Sequence, residues 1–156
     1  MSPAPSLLVE RWFNTPEPIE LAALRGRVVV LHTFQMLCPG CVLHSLPQAK
    51  KLHELAGQLD GRLVVLGLHT VFEHHAAMTP TSLEAFLHEF RITFPVGVDL
   101  PSADGPIPRT MAAYGLEGTP STVIIDREGS IVRRSLGAED ELTFGMMLGG
   151  LLSRPT

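Results

Sequence analysis

The chain has only two cysteines among 156 residues, Cys38 and Cys41. With no second pair, a four-cysteine metal site is excluded. Cationic charge is also scarce: 12 Lys and Arg against 16 Asp and Glu leave a net charge of −4. That balance, with no basic stripe, argues against a nucleic-acid partner. No apolar run approaches the ~18 residues that suggest a membrane span, so no membrane partner is expected. The N-terminal stretch Met1-Ser2-Pro3-Ala4-Pro5-Ser6 lacks the basic and apolar regions of a secretory signal. A cytoplasmic location follows as an expectation. Internal repeats and low-complexity segments are absent as well.

What is present is a core-forming composition, 45% apolar, in a length that suits one domain. Residues 1–6 read as a flexible N-terminal tail and 7–156 as a single domain. Between residues 7 and 24, Pro16 and Pro18 break any long helix and leave short extended pieces. Val28 to Phe34 is β-branched and nearly continuous, as in a strand covered on both faces. A helix is expected from Pro39 to Ala56, with Pro at its start tolerated and Pro47 kinking it. Arg62 to Leu68 reads as a second strand. Residues 69–80 are a polar, histidine-rich loop. Thr81-Ser82-Leu83-Glu84 offers a capping-box start for a helix to Phe90. A strand at Phe94–Val98 and a short helix at Pro108–Tyr114 follow. The turn Asp126-Arg127-Glu128-Gly129 joins strands Thr122–Ile125 and Ser130–Ser135, and Asp140–Leu152 is a closing helix. This order is α/β: a central mixed sheet with helices on both faces.

Cys38-Pro39-Gly40-Cys41 stands where the first strand turns into the first helix. A disulfide across three residues closes a very small loop and stabilises little. A bond of that kind is better suited to being made and broken, and C-x-x-C at a strand–helix junction reads as a redox site. Free N–H groups and the helix dipole favour a negative sulfur at Cys38. Cys38 is then the expected nucleophile and Cys41, one turn deeper, the resolving thiol.

With these features, the strand Val28–Phe34 running into Cys38-Pro39-Gly40-Cys41, Gly118-Thr119-Pro120 ahead of a strand, and an extra strand–helix unit ending at Phe94-Pro95-Val96-Gly97-Val98-Asp99, the chain resembles the thioredoxin superfamily. The likeness is to its TlpA-like and peroxiredoxin-like (redoxin) branch. It implies a thioredoxin-like fold and a thiol–disulfide oxidoreductase active in cell redox homeostasis, with no cofactor. It also implies a cis-proline loop at Thr119-Pro120 facing the cysteines, with Pro39 and Gly40 sharing in substrate contact. The partners implied are a disulfide-bearing protein or small thiol substrate and an upstream thiol reductant, acting on a monomer or weak homodimer. The chain departs from the pattern at Leu37, where a tryptophan is usual, and at His32, where an acid or asparagine is usual. By strand alternation His32 lies beneath the cysteines, where a neutral imidazole could take the Cys41 proton.

Two other readings stand beside this one. A thiol peroxidase would form a sulfenic acid at Cys38. The peroxiredoxin pattern asks for threonine and proline where this chain has Gln35 and Leu31. A metal-binding module would use Cys38, Cys41, His69 and His75, and soft copper(I) suits two thiolates. His69, Glu73, His74 and His75 follow a strand's carboxyl end, the edge at which open α/β sheets bind ligands. His44, Arg109 and Glu117 are further candidates for the rim of the site. Leu142, Met146, Leu148 and Leu151 in the last helix read as core or a modest dimer face.

Overall fold

The computed structural model describes residues 2–155. Seven strands form one sheet: β1 (Ser2–Pro3), β2 (Val9–Phe13), β3 (Val28–Phe34), β4 (Leu63–His69), β5 (Val96–Asp99), β6 (Ser121–Ile125) and β7 (Ser130–Leu136). Their order across the sheet is β1-β7-β6-β3-β4-β5-β2. The α-helices are α1 (Leu46–Ala56), α2 (Pro80–Glu89), α3 (Arg109–Ala113) and α4 (Glu141–Leu152). β3 is central and every one of its residues is buried, which is why its sequence is a nearly continuous apolar run rather than an alternating one.

Alternate residues of β3 feed two cores. Val28, Val30 and Phe34 face α1, α2 and α4: Phe34 packs with Leu46, Ala49, Leu83 and Leu87, and Val28 and Val30 with Phe144 and Leu148. Val29 and Leu31 face the other side, with Leu66, Tyr114 and Val123.

The sheet's mixed sense determines what meets at one edge. β3 runs parallel to β4, with Phe34 opposite His69. β6 runs antiparallel to β3, with Ser121 opposite Thr33. The end of β3, the end of β4 and the start of β6 therefore share one border, so residues 35–41, 70–72 and 118–120 converge there although they are far apart in sequence.

Three local expectations are revised. A tail is expected over residues 1–6; Met1 lies outside the described residues, and Ser2–Pro3 pairs antiparallel with β7. Two ladder positions against Ile131 and Ser130 suffice to place it. The helix read over 39–56 begins as a π-helical turn, Cys41–Ser45, and becomes α-helical only at α1. Pro47 has no N–H for the Leu43 carbonyl, and its ring crowds that carbonyl, so the turn widens. α2 is capped by Thr79, whose side chain accepts from Ser82 N at 3.2 Å, not by a box at Thr81. Pro80 then takes the first helical position, where a missing N–H costs nothing.

Candidate active site

Cys38 and Cys41 lie at the carboxyl border of β3 and are both free thiols. Cys38 is half-buried and Cys41 is wholly buried, at 0% exposure. The Cys38 backbone N–H donates to Gln35 O at 3.0 Å. Cys41 N and Val42 N both donate to Cys38 O at 3.1 Å. The Cys41 N–H also approaches Cys38 Sγ at 3.3 Å, so a backbone donor of the first turn rests against the outer sulfur. Burial, together with the Cys38 thiol beside it, pushes the Cys41 thiol from 9.0 up to about 12. The two sulfurs thus differ in access: the outer one is reachable, the inner one is held neutral.

The loop before β6 closes the other side. The Thr119–Pro120 peptide is cis. The Cys38 thiol donates to Thr119 O at 3.5 Å. Gly40 sits directly against the proline ring, since a Cβ there would lie 3.3 Å from Pro120 Cδ. Of the residues expected at the site, Cys38, Gly40, Cys41, Thr119 and Pro120 are therefore brought together, and Pro39 is exposed beside them.

The histidines fare differently. His32 is fully buried at 0% exposure. Its ring stands 6.4 Å from that of Phe144, and among the described residues neither ring nitrogen has a hydrogen-bond partner. It hydrogen-bonds to neither cysteine. Burial lowers it from 6.5 to about 4, against a weaker upward pull from Glu139. The ring is neutral at pH 7 and a weak base. Glu139 is the buried acid on that side: its side chain is 5% exposed, gripped by Arg133 Nε and Nη2 at 3.2 Å each, and bonded by the Ser135 hydroxyl.

His69 ends β4 with 1% exposure, packs on Phe34 at 5.1 Å between ring centroids, and accepts from Met36 N through Nε2 at 3.2 Å. Its proton is therefore on Nδ1, and its role is to hold the backbone just ahead of the cysteines. Glu73, His74 and His75 are exposed, and His75 bonds Pro106 O instead. The four-ligand set of Cys38, Cys41, His69 and His75 is not assembled. Among the described residues, no three His, Cys, Asp or Glu side chains gather to hold a metal ion. His44, Arg109 and Glu117 are exposed and make no hydrogen bond to the cysteines.

Gln35 is the residue sequence reasoning passed over. It is 2% exposed, and its amide joins two loops: Nε2 donates to Thr119 Oγ1 at 3.2 Å, and Oε1 accepts from Phe72 N at 3.2 Å. The signal was a polar side chain closing an apolar strand three residues before Cys38. A cleft of about 370 Å³ between α1 and α2, lined by Val42, Leu46, Phe86 and Phe90 among others, lies behind the motif and contains neither cysteine. Both thiols lie at the open sheet border and not in that cleft.

Comparison with known proteins agrees with this geometry. The sequence profile described as Redoxin matches residues 2–147. A crystal structure of a thioredoxin-like superfamily protein superposes with a TM-score of 0.94 at 51% identity, covering 100% of this chain and 99% of that one. The crystal structure of a thiol-disulfide isomerase from Corynebacterium glutamicum superposes with a TM-score of 0.91 at 48% identity, covering 97% and 98% respectively. Over 131 residues the chain is 27% identical to Protein DipZ of Mycobacterium bovis, covering 83% of this chain and 17% of that protein. It thus spans about a sixth of that relative's length.

Proposed function

The chain belongs to the Redoxin family, and from that premise we propose that it is a thiol–disulfide oxidoreductase with Cys38 as nucleophile and Cys41 as resolving thiol. The observation that carries the reading is the half-buried Cys38 thiol 3.5 Å from Thr119 O, stacked over a wholly buried Cys41. In the first step the Cys38 thiolate attacks one sulfur of a substrate disulfide. A Cys38–substrate bond forms, and the other substrate sulfur leaves as a thiol. In the second, the Cys41 thiolate attacks the Cys38 sulfur. The Cys38–Cys41 disulfide forms, the second substrate thiol leaves, and two electrons have passed to the substrate. An upstream thiol reductant restores the dithiol. The family's usual tryptophan is replaced by Leu37, which is 57% exposed beside Cys38.

The same reading assigns substrate contact to Pro39, Gly40, Thr119 and Pro120. Leu37 and the 59% exposed Leu136, which lies against Gly118, support an apolar polypeptide segment as the substrate. His32, expected as the acceptor of the Cys41 proton, is bonded to neither cysteine and is made a poor base by its burial, so no proton step is assigned to it. The working setting is a reducing cytoplasm, with the protein a monomer or weak dimer. Among the described residues no helix is long and apolar enough to cross a membrane.

Cys38→Ser should abolish reduction of an insoluble protein disulfide in the presence of a dithiol reductant. Cys41→Ser should retain the first step and accumulate mixed disulfides, visible by mass spectrometry. An active Cys38→Ser protein would overturn the assignment.

A further inference from the structure

The donors and acceptors around Gln35 have a fixed direction. A backbone N–H can only donate, so the contact from Phe72 N at 3.2 Å requires the amide oxygen on that side. The amide NH₂ must then face Thr119, and it donates to Oγ1 at 3.2 Å. A hydroxyl that accepts one bond keeps its own hydrogen for another partner. Thr119 Oγ1 has that hydrogen left, and its residue lies against the cysteine pair: Thr119 O is 3.5 Å from Cys38 Sγ, which in turn is 3.3 Å from Cys41 N. The Thr119 side chain also favours the Cys41 anion. Chains of this kind polarise each link in turn.

We propose that Gln35 is a positioning residue for the resolving step: it orients the Thr119 hydroxyl so that its hydrogen points at Cys41 Sγ as that sulfur becomes the attacking thiolate. The inference deepens the oxidoreductase reading and rests on it. The relay runs from Phe72 N–H to the Gln35 amide, from the amide to the Thr119 hydroxyl, and from the hydroxyl to sulfur. It supplies a donor to an inner sulfur that burial otherwise keeps protonated. It also ties the loop after β4 to the chemistry, although none of that loop's histidines touches a cysteine. The titratable group that acts on Cys41 is Cys38, which is occupied in the mixed disulfide. The bond that breaks in this step joins Cys38 to the substrate sulfur, and the bond that forms joins Cys38 to Cys41.

A chromogenic aryl disulfide separates the two steps. Its first thiol is released when Cys38 attacks, its second when Cys41 resolves the adduct. Gln35→Met preserves volume and removes the amide without adding charge; Thr119→Val removes the hydroxyl with the same branching. Gln35→Met should leave the first release unchanged; Thr119→Val, at a substrate-contact position, is read on the second release alone. Each should slow the second about tenfold at pH 7 and raise its pH midpoint by about one unit, as expected for one hydrogen bond to an anion. Thr119→Ser should restore the wild-type midpoint. The Gln35→Met effect should vanish in a Thr119→Val background, because both act through one hydrogen. A wild-type midpoint in either single variant, or a Gln35→Met effect that persists without the hydroxyl, overturns the relay. Absence of the second release in the unmutated protein would sink the oxidoreductase reading instead.

Discussion

His32 and His69 are imidazoles that the fold withdraws from water, at 0% and 1% exposure. Burial takes each from 6.5 to about 4. Such a group binds fewer protons in the native state than in the unfolded one, so stability is full above pH 6.5 and falls as the pH drops toward 4. By pH 5 each ring should have cost roughly 2 kcal/mol. Urea denaturation at pH 7 and pH 5 should show this loss, and His32→Leu should remove about half of it. Acid sensitivity undiminished in His32→Leu would mean that the ring is not the group responsible. Cys41 works in the opposite range. Its folded value near 12 lies above the ordinary 9.0, so it draws stability down only as the pH rises past 9.

Between residues and the whole lie the elements, and two of them show how differently small side chains matter. Gly67 is in the middle of β4, where a Cβ would come within 2.8 Å of Phe94 Cε1 and 3.1 Å of Val96 Cγ2. Both contacts are core side chains without room to retreat, so Gly67→Ala should cost about 1–3 kcal/mol by overpacking. Thr79 caps α2 from a half-exposed position, and Thr79→Ala should cost about 1 kcal/mol. Equilibrium denaturation of the two variants should rank them in that order; equal losses would show that the sheet yields at Gly67. The π-turn at Cys41–Ser45 belongs to this scale too. It seats Cys41 and Ser45, both buried, ahead of a helix whose own register starts at Leu46.

The seven strands are bonded edge to edge in one sheet, and β3 shares its residues between both faces. Trp12, the chain's single tryptophan, sits in β2 at the far edge, opposite Gly97 of β5. Its fluorescence and the far-ultraviolet circular dichroism should therefore change together in urea, as one cooperative transition. A tryptophan change at distinctly lower urea would show that the β2 edge frays on its own. β1, held by two positions of β7, is the element for which early loss is expected.

Much was legible in the residues themselves. The nearly continuous run Val28–Phe34 could be little other than a central strand, and the cysteine pair at its end announced thiol chemistry through spacing alone. The π-turn, the Thr79 cap and the pairing of Ser2–Pro3 were not legible, because each depends on a neighbour rather than on local preference. The same holds for the site. His69 and His75 stand six apart in a polar stretch and looked alike, yet strand pairing buries one and leaves the other in water. Gln35 read as a mere departure from a pattern, since nothing in its local sequence reveals that Phe72 and Thr119 lie on either side of it. The chain order determined that there would be two sulfurs at a strand end. Only the antiparallel return of β6 decided what faces them, because a hydrogen bond between residues 35 and 119 exists only once the sheet has brought its borders into line.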